Sequence, residues 1–117
     1  MLTIENLQKF GADTEEGLSR CMNNEGLYLK LVGMIIGDAG FGKLNNALAE
    51  GNLQEAFEAA HALKGVLGNL SLTPLYGPAS ELTELLRNPD PSQAERYQPL
   101  CDEILKQLEV LTALQQG

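Results

Sequence analysis

The sequence predicts an all-α protein, an antiparallel up-and-down four-helix bundle with an extra short N-terminal helix. Three observations carry this. Apolar residues recur at spacings of three and four along nearly the whole chain. β-branched residues are sparse and two-residue alternation is absent, so no strand is supported. Glycine, proline and asparagine fall between the periodic stretches, where helices start and stop. Residues 1–117 are read as one helical-bundle domain, within the usual size of ~100–150 residues.

The first predicted segment runs from Thr14 to Met22. Asp13 or Thr14 caps it, and Glu15 and Glu16 sit favourably in its first turn. A second runs from Glu25 to Ile36, with Leu27, Leu31, Met34 and Ile35 on one face. Gly37 to Gly42 forms a loose glycine-rich joint, after which helix continues from Lys43 to Glu50 and Gly51 ends it. Asn52 caps a helix from Leu53 to about Leu70, whose buried stripe is Ala56, Ala60, Leu63, Leu67 and Leu70. Thr73 is expected to cap the next helix, with Pro74 in its first turn and Leu75, Leu82, Leu85 and Leu86 on its apolar face. Gly77-Pro78 predicts a kink or a restart there. Asn88-Pro89-Asp90-Pro91 is a break. The last segment, Ser92 to Leu114, is expected to bend or stop near Pro99, and its main helix carries Leu100, Ile104, Leu105, Leu108, Leu111 and Leu114.

Composition excludes several function classes. The chain has 16 acidic and 8 basic residues, one histidine and a net charge of −8. Nucleic acid and anionic membrane surfaces both call for basic patches, which this balance does not provide. Met1 to Phe10 lacks the basic and apolar regions of a signal peptide. The longest apolar stretch, Leu27 to Ile36, is interrupted by Lys30 and Gly33 and falls far short of the ~20 residues a membrane span needs. A cytoplasmic, monomeric protein is expected. Cys21 and Cys101 fit no metal spacing and are read as free thiols or small core residues. No metal and no cofactor is expected.

Gly37-Asp38-Ala39-Gly40-Phe41-Gly42-Lys43 matches the spacing of a phosphate-binding loop. Such a loop needs Ser or Thr after the lysine to hold Mg²⁺, and Leu44 stands there. It also needs a parallel sheet, for which the chain has no strands. The glycines therefore read as a joint, and Lys43 as a solvated base.

The informative stretch is Ala60-His61-Ala62-Leu63-Lys64-Gly65-Val66-Leu67-Gly68-Asn69-Leu70. At ~100° per residue, His61 lies about 130° from the centre of the buried stripe, which places it in solvent. Phe57, four residues earlier, shares its face and reads equally as core edge or docking contact. Gly65 and Gly68 flank the same face, and each glycine inside a helix costs roughly 1 kcal/mol against alanine. Their effect is to keep side chains off the surface beside His61, so that a partner can approach closely. Lys64 is the only base between Lys43 and Arg87, and suits an anion attached to the imidazole. A neutral imidazole can attack a phosphoryl group and carry it covalently. The remaining needs of phosphoryl transfer, Mg²⁺ included, are expected from the partner.

His61-Ala62-Leu63-Lys64-Gly65, followed by Gly68-Asn69-Leu70, resembles the H-x-L-K-G signature of histidine-containing phosphotransfer (HPt) domains. The resemblance extends to Leu27–Leu31, Leu48–Gly51 and Ala79–Leu86. It implies an antiparallel four-helix bundle that carries phosphoryl groups between receiver-domain aspartates, or from a sensor kinase, including a hybrid one, to a receiver. It implies that His61 is the phosphorylated residue, through Nε2, and that Lys64 steadies the phosphoryl group. Gly65 and Gly68, with Phe57 beside them, would make the docking face. The sequence departs from the pattern at Ser71, where the family usually has glycine. It departs also at Thr83, aligned where a Glu or Gln often faces the histidine, and at Gly77-Pro78. Such a domain is a phosphocarrier without catalytic turnover of its own. The alternative is an adaptor bundle that binds a signalling partner without being phosphorylated; the intact His61-Lys64-Gly65 set favours the carrier.

Overall fold

The computed structural model describes residues 1–117 and is helical throughout, with no strand. Its elements are α1 (Ile4–Phe10), α2 (Thr14–Arg20), α3 (Glu25–Ile36), α4 (Gly40–Glu50), α5 (Leu53–Asn69), α6 (Thr73–Arg87), a 3₁₀ segment (Pro91–Arg96) and α7 (Tyr97–Gln116). The bundle is α4 to α7: α4 packs on α5, α5 on α6, α6 on α7, and α7 back on α4. Only Gly51 and Asn52 join α4 to α5, and only Leu70 to Leu72 join α5 to α6, so these neighbours run antiparallel. α3 and α1 lie against α7, and α2 bridges α1 and α3. The whole measures 43 × 25 × 20 Å.

One apolar cluster runs through six of the seven helices, from Leu7 in α1 through Val32, Leu44, Leu63 and Leu82 to Ile104 and Leu111 in α7, and α2 adds only the partly buried Leu18 against it. Each fully buried leucine contributes roughly 1.5–3 kcal/mol. The caps follow the sequence where an Asx side chain is available: Asp13, Asn24 and Asn52 accept from the backbone N–H of Glu16, Leu27 and Glu55. Gly51, at φ 74°, closes α4 in the left-handed conformation.

Several elements differ from the sequence expectation. α1 is an additional short helix. Thr3 and Asn6 exchange side-chain and backbone hydrogen bonds at 3.0 and 2.9 Å to start it, with asparagine in the place of the usual Glu or Gln. Only Leu7 is buried in it, too little to make a periodic signal. α4 begins at Gly40, so Gly40 and Gly42 belong to its first turn and not to a loose joint. The N-cap of α6 is Leu72, not Thr73, and no side chain caps that helix. Pro74 has no N–H, and those of Leu75 and Tyr76 already reach the Leu72 carbonyl, at 3.0 and 2.8 Å. A capping hydroxyl would have little to bind. α6 then runs unbroken across Gly77-Pro78. The clash a proline imposes on the preceding Cβ is absent when that residue is glycine. Pro99 lies in the first turn of α7, where a missing N–H costs nothing, and the break comes earlier, between the 3₁₀ segment and Tyr97.

The N-terminal helices are tied to the bundle at the α5–α6 turn. The fully buried Tyr28 of α3 donates its hydroxyl to the Leu70 carbonyl at 2.8 Å. Its ring packs on Gly17 of α2 so closely that a Cβ there would lie 2.5 Å from Tyr28 Cε1. The Asp13 N–H adds a bond to the Ser71 carbonyl, at 2.9 Å. Ser71 itself has φ 54°, in the left-handed region, and its buried Oγ has no hydrogen-bond partner.

Ser71→Gly removes both the left-handed strain and the unpartnered hydroxyl. It is expected to stabilise the fold by about 1 kcal/mol, after allowing for glycine's extra chain entropy, and to raise Tm by several degrees. A thermal melt checks this. Alkaline pH should have the opposite effect. Burial, then Cys21 and Asp13, push the Tyr28 hydroxyl from 10.0 up to about 12, and burial, then Asp102, pushes the Cys101 thiol from 9.0 up to about 11. The unfolded chain releases these protons first, so stability is full below pH ~9 and falls as pH rises through the folded values. Urea melts from pH 8 to 12 should show a shallower loss above pH 10 for Tyr28→Phe, which begins about 1 kcal/mol less stable for want of the Leu70 bond.

Candidate functional site

α5 buries Ala56, Ala60, Leu63 and Leu67, each at 1% exposure or less, as its stripe predicts. That rotation leaves His61 exposed on the outer face, with Phe57 half-buried one turn before it. The two rings are stacked, with centroids 5.7 Å apart and planes 18° from parallel. The Arg87 guanidinium from α6 lies over the Phe57 ring, its Cζ 5.3 Å from the centroid.

Lys64 is on the same helix, half-buried, with Nζ 3.4 Å from Glu84 Oε1 on α6. Glu84 also accepts from Arg87, at 3.2 Å from Nε and 3.4 Å from Nη2. One carboxylate thus lies between two cations. The hydrogen bond and charge of Arg87, with smaller contributions from Lys64, hold its carboxyl below the usual carboxylate range.

The two glycines of α5 differ. A Cβ on Gly65 would meet nothing within 4 Å, so that surface is open. A Cβ on Gly68 would touch the Tyr76 ring at an ordinary 3.5 Å, so Tyr76 partly covers that end of the face. Lys64, Gly65 and Gly68 line a polar groove of about 380 Å³ together with Asp13, the N-cap of α2, and Glu16 and Arg20 of that helix. A second groove, of about 320 Å³, is apolar and lies between α3 and α5, where Met34 and Val66 are exposed.

The structure therefore places Phe57, His61, Lys64 and Gly65 along one face of α5, with Gly68 at its edge. Thr83 takes no part: it is fully buried, and its hydroxyl donates to the Ala79 carbonyl at 2.7 Å. The aromatic neighbour of the imidazole is the Phe57 ring. Glu84 and Arg87 are site residues that the sequence reading does not supply. They lie some twenty residues along the chain, and only the packing of α5 on α6 brings them in. The phosphate-loop spacing has no structural counterpart, since Gly40 to Lys43 are the first turn of α4.

Residues 38–116 match the sequence profile of the Hpt domain, and the chain belongs to that family. The match covers α4 to α7, the four helices that form the bundle, and starts beyond Leu27–Leu31. Membership implies histidine phosphotransfer in phosphorelays, by domains that carry phosphoryl groups. No curated protein and no solved structure matches the chain. No helix is long and apolar enough to cross a membrane.

Since a methyl group fits freely at position 65, Gly65→Ala is expected to stabilise the helix by up to about 1 kcal/mol. A urea melt measures it, and a loss of stability would mean that the position is not open.

Proposed function

We propose that this protein is a phosphorelay carrier in which His61 accepts a phosphoryl group from a receiver-domain aspartate or a sensor kinase, hybrid kinases included, and passes it to a receiver. The observation that supports this best is the exposed imidazole stacked on Phe57, with Lys64 one turn along and the open surface of Gly65 beside it. In the forward step the lone pair of Nε2 forms an N–P bond while the P–O bond to the donor aspartate breaks. The carboxylate leaves with the bonding pair, and the proton on the other ring nitrogen passes to solvent. Lys64 offers its charge to the phosphoryl oxygens. Little else is needed from this chain, because in-line positioning and metal come with the partner's acidic site.

The docking face in this reading is Phe57, Gly65 and Gly68, and the whole chain, 1–117, acts as one domain. It has no catalytic turnover of its own and works as a cytoplasmic monomer. The negative overall charge disfavours nucleic acid as a partner.

The test is phosphoryl transfer from a panel of phosphorylated receiver domains, read by intact mass and by acid lability. The wild type is expected to gain one acid-labile phosphate and His61→Gln none, with both proteins equally folded by circular dichroism. Gly65→Leu should accept phosphate from a small donor such as phosphoramidate but lose at least tenfold in rate from the receivers, because its side chain stands where the partner must approach. A folded wild type that takes no phosphate from any donor would return the protein to the adaptor reading.

A further inference from the structure

The carboxylate of Glu84 occupies an unusual place for a surface acid. It meets Lys64 of α5 and Arg87 of α6 at once; Lys64 stands three residues after His61 on the same helix, and Arg87 lies over the Phe57 ring of the stack. About half of the Glu84 side chain is exposed, as is that of Arg87. Ion pairs this wet contribute little to folding. The arrangement therefore needs another reason, and the site provides one. A group attached to His61 would bring a second anion to the same two cations. A phosphoryl group has about twice the charge of a carboxylate and three acceptor oxygens.

We propose that Glu84 is the resident counter-anion of the phosphoryl subsite. Its carboxylate holds Lys64 and Arg87 beside His61 in the unmodified protein and yields them to the phosphoryl oxygens after transfer, so that it competes with the group His61 carries. This rests on the phosphorelay reading of His61 and adds a residue that sets how firmly the phosphoryl group is held. Lys64 and Arg87 are thereby kept at the site, neutralised and in reach, instead of spread over their rotamers in solvent. The same carboxylate limits their grip. A carrier that must release what it accepts is served by cations already partly committed elsewhere.

The experiment loads His61 with phosphoramidate, which needs no partner protein, and follows the phosphoryl group by ³¹P NMR as pH is varied. In Glu84→Gln the amide no longer competes for the cations. The phosphoryl group should become about two- to fivefold more acidic than in the wild type, the size that one cation freed from its carboxylate and a few ångströms from the phosphoryl oxygens produces in water. The effect should shrink in high salt. On a Lys64→Ala/Arg87→Ala background the same substitution should have less than half its effect, because only direct repulsion remains. Glu84→Asp, which keeps the charge, should lie close to the wild type, and all variants should melt within a degree or two of it. An unchanged or less acidic phosphoryl group in Glu84→Gln overturns the proposal, as does an effect undiminished without the two cations. A wild type that takes no phosphate on His61 from phosphoramidate or from any phosphorylated receiver overturns the carrier reading itself, so the two failures are told apart.

Discussion

The rotation of α5 about its own axis is the constraint on which the rest of the site depends. Ala56, Ala60, Leu63 and Leu67 turn inward because burying two leucines contributes several kcal/mol, while an imidazole in their place would lose its water without gaining a partner. Ala56 and Ala60 are also small, so α4 and α6 can pack against this stretch. Once that stripe is fixed, each neighbouring residue is assigned its direction. His61 follows Ala60 by one position and is carried about 100° round into solvent, and Phe57 one turn earlier comes under it. No dedicated contact has to hold the histidine outward, because the core does so from the other side of the helix.

A second tie fixes the end of α5. The Tyr28 hydroxyl on the Leu70 carbonyl is a buried bond between segments far apart in sequence, and it brings α3 and, through Gly17, α2 against the α5–α6 turn. These helices precede the stretch that matches the Hpt profile. They nevertheless supply Asp13, Glu16 and Arg20 to the polar groove beside Gly65 and Gly68. The common bundle thus presents the histidine, while the N-terminal segment shapes one flank of the surface around it. The strain at Ser71 sits in this same turn, where a left-handed residue must end α5 and let the chain re-enter as α6.

What was legible in the sequence follows from which interactions are local. The bounds of α3 and α5, the buried stripe, the exposure of His61 and the company of Phe57 all depend on spacings of three and four along a single helix. One sequence displays these directly. The misjudged features depend on something farther off or finer. Gly77-Pro78 reads as a breaker because proline alone is one, yet the preceding glycine removes the steric part of the objection. Thr73 looks like a cap until the donors it would serve are seen to be already bonded to Leu72. Thr83 aligns with a site position but turns inward to Ala79, a choice of rotamer no spacing encodes. Glu84 and Arg87 form a plain i,i+3 pair on α6. Only the packing of α6 on α5 makes that pair part of the histidine's surroundings.

The glycine at position 65 is not there for the fold. If close packing inside the bundle required it, an added Cβ would strike a neighbour, as it does at Gly17. Nothing lies within 4 Å of that Cβ, so the fold gains nothing from its absence and gives up about 1 kcal/mol of helix propensity. Folding does not explain that cost, and it falls on the helix face that also carries His61. The ion pairs around Glu84 have the same character: too exposed to matter much for stability, yet grouped beside the Phe57–His61 stack. Two features that are indifferent or adverse to folding thus converge on one exposed imidazole. That convergence separates this histidine from an ordinary surface residue more firmly than its exposure does.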